Sequence, residues 1–195
     1  QAKEHAEKGV RLAKEMQSAT WLPLSLNLMA DIHNKRGQIP EALSSYEEAL
    51  AIATKNGDNY NLIFTLNRLA RFYLNIDQPE RALSYIERSL SRAMAAGKRK
   101  DLEEIYLILG KCRARTRQFQ AAKPYIDTAY SLAQSDRDYK SLLQAYQQYG
   151  DLYYDLGNYK LSLSFQKRFQ ALQDSINNLE NAELLSRLDR EFKRK

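Results

Sequence analysis

The chain falls into register with itself when it is shifted by 40 residues. Ala30, Ala70, Gly110 and Gly150 fall on one line, and Ala42, Ala82, Ala122 and Ser162 on a second. Met29, Leu69, Leu109 and Tyr149 make a third, large and apolar. A fixed period of roughly 20–50 residues is the mark of a solenoid, in which each unit buries its apolar face only against its neighbours. The usual product of such an array is an extended surface rather than a reaction. One elongated array is therefore expected, not a closed enzyme core.

The physical grammar of one unit is legible in residues 20–58. Leu26, Met29, Ala30 and His33 recur at helical spacing and predict a first helix of about 16 residues with one buried stripe. Gly37 suits the position just past a helix end, and Pro40 the opening turn of a second helix. Ala42, Leu43, Tyr46, Ala49 and Leu50 give that second helix its own stripe, and Asn56-Gly57-Asp58 marks a turn. The same order returns in 59–98, 99–138 and 139–178. Small residues at the paired positions let two helices cross closely, so a large side chain there should overpack the crossing. Residues 1–19 fit a second helix of a truncated earlier unit, through Ala2, Ala6 and Val10. Residues 179–195 read as a helix that caps the array or starts a connector, with Leu185, Leu188 and Phe192 as its apolar stripe.

Composition agrees with this reading. Hydrophobic residues make up 44% of the chain and charged residues 28%, with seven Gly and four Pro, which favours helix and excludes a disordered chain. Apolar runs are too short to span a membrane. Thirty Lys and Arg against 24 Asp and Glu leave a formal charge of +6, a mild bias toward acidic partners. Bases and acids are interleaved nearly everywhere, so nucleic acid is not expected as a partner. Cys112 stands alone, which excludes a disulfide framework and a multi-cysteine metal site. His33 takes a slot that is Tyr73 and Tyr153 in other units, a core or groove role rather than a catalytic one. Neighbouring Glu103-Glu104 and Glu47-Glu48 diverge on a helix and make no acid–base pair. No catalytic residue, metal site or cofactor is expected.

The alternation M-A-x-x-H, G-Q-I and A-L-x-x-Y-x-x-A over residues 29–49, with Y-G-x-x-Y and G-N-Y over 149–159, resembles the tetratricopeptide repeat family. The resemblance spans about 160 of the 195 residues. It implies an all-α, right-handed superhelical solenoid of antiparallel helix pairs in 40-residue units. The usual unit has about 34 residues and a Pro that stops its second helix. Here Thr54, Met94, Gln134 and Asp174 stand at that place, so the second helices are expected to run on and hold the extra length. Arg113 and Arg117 replace an aromatic and a turn Gly, and Pro124 falls inside a second helix, where it should bend or delay it.

In such arrays the first helices line the concave face. The resemblance therefore assigns to the groove Asn27, Asp31, Asn34 and Lys35, then Asn67, Arg71 and Asn75, then Lys111 and Arg115, then Gln147, Asp151 and Tyr154. Asn amides can clamp a peptide backbone and Arg can hold a carboxylate through two hydrogen bonds. The expected partner is a protein or peptide of acidic character, centred on Asn67, Arg71, Lys111 and Arg115; the alternative is that these are simply solvated helix residues. The carboxylate clamp of some relatives is not expected, because Asp31 and Asn27 stand where it would need an amide and a Lys. The aromatic-rich last unit, L-Q-D-S-I at 172–176 and a charged helix also resemble the sensor region of bacterial membrane-anchored histidine kinases and transcriptional regulators. The chain then reads as part of a longer protein, periplasmic in that setting. A cytoplasmic adaptor or peptide-pheromone receptor is the first alternative and a nucleic-acid-associated helical repeat the second. A homodimer through the solenoid end or the C-terminal helix stays open.

Overall fold

The computed structural model describes residues 2–192, and side chains throughout except at 2, 99, 100 and 180–192. The stripe expected at Leu185, Leu188 and Phe192, and the Ala2 contact, lie outside the described side chains. Nine helices follow one another among the described residues: α1 Ala2–Glu15, α2 Trp21–Lys35, α3 Ile39–Lys55, α4 Asn59–Asn75, α5 Pro79–Ala95, α6 Arg99–Arg115, α7 Phe119–Asp136, α8 Tyr139–Asp155 and α9 Tyr159–Phe192. No strand occurs among them. None of the described helices is long and apolar enough to cross a membrane.

The helices end on a 20-residue clock. Left-handed backbone occurs at Gln17, Gly37, Gly57, Asp77, Gly97, Arg117, Arg137 and Gly157, with φ between 49° and 74°. Each sits just past a helix, and the residue after it returns an N–H to the preceding helix, as Gln38 does to His33 and Asn158 to Tyr153. Half of these sites are glycine; the others carry the steric cost of left-handed backbone. Helix starts are marked in the same register. Asp58 accepts from the Asn61 N–H, Asp138 from those of Lys140 and Ser141, and Ser18 from that of Trp21. Lys98 holds the equivalent place before α6 and makes no side-chain cap.

Strongest packing joins α2 with α3, α4 with α5, α6 with α7 and α8 with α9. The crossing points are the small residues: Ala30, Ala42, Ala70, Ala82 and Ala122 are fully buried. At Gly110 a Cβ would lie 2.7 Å from Ile126 Cγ1, so this crossing admits no side chain without a shift. First helices also touch one another in sequence, α2 to α4, α4 to α6 and α6 to α8. Among the described residues α3, α5 and α7 make no such contact with one another. That asymmetry bends the stack, with the first helices on the inner face. Its core is continuous across units, with Tyr46 against Phe72 at 5.6 Å between ring centroids and Tyr73 stacked on Tyr85 at 5.3 Å.

Two expectations need correction. The extra length is not held by the second helices alone: α4 and α5 both have 17 residues, and three-residue links complete the period. Pro124 does not delay α7, which starts at Phe119 in register with Ile39 and Pro79. The carbonyl it leaves unpaired belongs to exposed Gln120, where water can serve it. The backbone of α9 runs as one helix of 34 residues across 178, where the last repeat is expected to end.

Candidate functional site

A cleft of about 380 Å³ opens on the first-helix face. Arg71 and Asn75 reach it from α4, Lys111 and Arg115 from α6, and Gln144, Gln147, Gln148, Asp151 and Asp155 from α8. Leu74, Leu107, Ile108, Ala114 and Ile126 form its apolar floor. The helical period explains the array. Arg71, Lys111 and Asp151 are one period apart, as are Asn75, Arg115 and Asp155, so adjacent first helices present them side by side.

Six of the twelve expected groove residues therefore meet in this cleft: Arg71, Asn75, Lys111, Arg115, Gln147 and Asp151. The rest do not. Asn27 is 1% exposed and is corrected to a structural residue. Its Nδ2 donates to the Pro23 carbonyl and to Thr65 Oγ1, both at 2.8 Å, tying α2 to α4. Asn67 is 4% exposed; its Oδ1 accepts from Ser89 Oγ at 2.6 Å. A backbone clamp needs an amide free to turn, and neither is. Asp31 accepts from the Tyr46 hydroxyl at 2.5 Å and from Arg68 at 2.8 Å. Burial, and then that bond, push the Tyr46 hydroxyl far above its ordinary range. Asn34 and Lys35 lie outside the cleft lining, and Tyr154, 61% exposed, packs edge-on against Tyr159 instead.

Gln144, Gln148 and Asp155 were missed. The period itself was the signal for Asp155, which follows Arg115 by 40 residues; Gln144 and Gln148 follow Glu104 and Ile108, which carry no groove signal in the sequence. Gln148 Nε2 donates to the Leu107 carbonyl at 2.9 Å, and its buried Oε1 has no partner among the described residues. Part of the cationic wall is already engaged. Arg71 Nε and Nη2 both reach Glu104 Oε1 at 2.9 Å, and Arg115 Nη1 lies 3.3 Å from Asp77. Burial raises the Asp151 carboxyl above its usual range and Asp155 adds to the rise, against Lys111 and Arg115.

Outside the cleft lining, α6 carries a buried acid. Glu103 is 6% exposed, at the position where α4 carries Ile63. Burial pushes its carboxyl up to about 7, with Asp138 repelling the charged form and accepting a hydrogen bond from the protonated one. Burial works to raise Asp138 too, but bonds from Ser141 and Lys140 outweigh it, and Asp138 ends below the usual range. Cys112 is fully buried and its thiol is pushed up to about 12, chiefly by burial, so it is an inert core residue. His33 meets Gln38 Oε1 at 2.9 Å in the turn after α2. Among the described residues no group of three or more His, Cys, Asp or Glu is placed to hold a metal.

Comparison with known proteins agrees with this architecture. Two family models described as tetratricopeptide repeat match residues 21–95 and 143–176, together more than half of the chain. No curated protein sequence matches. Among solved structures, a kinesin light chain with nearly identical TPR-like repeats from Podosopora anserina superposes with a TM-score of 0.66 at 18% identity, covering 90% of this chain and 87% of that one. BtubC (BKLC) from P. vanneervenii gives 0.61 at 18% identity, covering 90% and 91%. Aspartyl phosphate phosphatase F from Bacillus subtilis gives 0.69 at 19% identity; 91% of this chain aligns, but only 42% of that one. The repeat register, the helix pairing and the family matches together assign the chain to the tetratricopeptide repeat family.

Proposed function

We propose that the chain is a protein- and peptide-binding scaffold that receives an extended or helical segment of its partner along the first-helix face. The observation that carries this reading is the cleft between α4, α6 and α8: an apolar floor, a rim of amides and charges, and a volume of about 380 Å³. Binding sites are concave, and a few convergent polar groups fix the orientation of what they hold; this cleft offers a ligand mostly polar groups. Tetratricopeptide arrays are generally scaffolds rather than enzymes, and this chain is read as one. The partner segment carries acidic character, met by Lys111, Arg115 and Arg71.

The biological setting we propose is the sensing or interaction region of a larger bacterial regulator. Likeness in fold to an aspartyl phosphate phosphatase supports that setting. A second reading, an adaptor that joins two proteins, draws on the likeness to kinesin light chain repeats over nearly their whole length.

The test is to combine Arg71→Glu, Lys111→Glu and Arg115→Glu, to verify the helical circular dichroism, and to titrate a partner of the wild-type chain by calorimetry. At least a tenfold loss of affinity is expected. Undiminished binding by the folded triple variant would place the partner elsewhere and sink this reading.

A further inference from the structure

The charge of the cleft is divided by helix. Its cations come from α4 and α6, its carboxylates from α8. On this face adjacent first helices close such pairs directly: Arg68 on α4 meets Asp31 on α2 at 2.8 Å, and Arg71, at the cleft's edge on α4, meets Glu104 on α6 at 2.9 Å. Lys111 on α6 and Asp151 on α8 also stand on adjacent first helices, 40 residues apart where the closed pairs are 37 and 33 apart. Yet among the described residues no ion pair engages Lys111, Asp151 or Asp155. The cleft stands between them, floored by Leu107, Ile108 and Ile126, with the unpartnered Oε1 of Gln148 buried beside it.

Two open charges of opposite sign across an apolar floor define a ligand. We propose that the cleft recognises a short peptide segment bearing one carboxylate and one cationic side chain. The carboxylate meets Lys111 and Arg115, and the cation meets Asp151 and Asp155. Neighbouring helix axes lie about 8–10 Å apart. An extended chain rises about 3.3 Å per residue, which sets the two charges roughly two to four residues apart. A purely acidic segment would place its remaining carboxylates against Asp151 and Asp155, and a purely basic one would face Lys111 and Arg115. Repulsion at the wrong wall supplies the discrimination. This inference rests on the peptide-binding reading above and narrows it from an acidic partner to one of mixed charge.

The experiment is to pan a random nonapeptide library over the immobilised full chain in three versions. These are the wild type, Asp151→Asn with Asp155→Asn, and Lys111→Gln with Arg115→Gln. The wild type should enrich sequences with an acidic and a basic residue two to four positions apart. The Asn version should lose the preference for a base, and the Gln version the preference for an acid. By fluorescence anisotropy the best wild-type peptide should bind each altered version at least tenfold more weakly. Enrichment of acid-only peptides by the wild type, or an unchanged preference in the Asn version, overturns the mixed-charge assignment and leaves the peptide-binding reading standing. No enrichment over a folded control protein by any version overturns both.

Discussion

In α3, α5 and α7 the residues that face the next unit are fully buried: Tyr46, Ala49 and Ala53; Ile86, Ser89 and Ala93; Ile126, Ala129 and Ala133. In α9 the same register holds Gln166, Phe169 and Gln173, which are exposed or half-buried. The helices are alike in start and pairing but differ in their next neighbour. α4 packs on α3, α6 on α5 and α8 on α7, whereas among the described residues no helix comes after α9. The buried stripe of a second helix is thus a property of the interface and not of the helix alone, as expected where each unit is stabilised by its neighbour.

The largest effect should come from giving an interior second helix the residue of the last one. Ile126→Gln deletes a fully buried side chain and inserts an amide without partners, so it should cost about 3–5 kcal/mol in urea unfolding. Gln166→Ile, the reverse change at the exposed end, should stay within about 0.5 kcal/mol. Equal effects would break the comparison.

Next in size is the acid at the position of an apolar residue. Glu103 holds its proton more tightly in the folded chain, where it titrates at about 7 against an ordinary 4.5. Between those values the folded state binds more protons than the unfolded one, so stability falls as pH rises from 4.5 to 7 and levels off above. The full loss is on the order of 3 kcal/mol. Glu103→Gln should flatten that slope in melts taken across the range, and an unchanged slope would remove Glu103 as its source.

Two crossings sharpen the contrast further. Gly110→Ala brings a Cβ to 2.7 Å from Ile126 Cγ1, an overpacking of about 1–3 kcal/mol. Gly150→Ala meets nothing nearer than Gln166 Cγ at 3.6 Å, and the gain in helix propensity, up to about 1 kcal/mol, should prevail. Opposite shifts in melting temperature are expected. The smallest gain comes from the missing cap: Lys98→Asp should let α6 start as α4 and α8 do and add about 1 kcal/mol, read from the urea midpoint.

The repeat, the pairing and the turns were legible in the sequence because they rest on local chemistry: small residues at the crossings, Gly37 and Gly57 past helix ends, and large apolar residues at helical spacing. The features that stayed hidden depended on partners far away in sequence. Asn27 and Asn67 look like groove amides until Thr65 and Ser89, 38 and 22 residues away, are found to hold them. Arg71 looks free until Glu104 arrives from the next unit. The apolar floor at Leu107 and Ile108 was hidden for a related reason. In most of the first helices those places are polar, as at Asn27, Asn67, Arg68 and Gln148, and only the stacked geometry sets the buried Leu107 and Ile108 beneath a cleft. Asp155 could have been found by extending the period from Arg115.

The most direct test of the account is hydrogen–deuterium exchange of the full chain with and without a peptide selected for binding to it. Added protection should concentrate on α4, α6 and α8 around Arg71, Lys111 and Asp151. Protection that falls instead on the outer helices α3, α5 and α7, with the cleft unchanged, would contradict the assignment of the first-helix face as the binding surface.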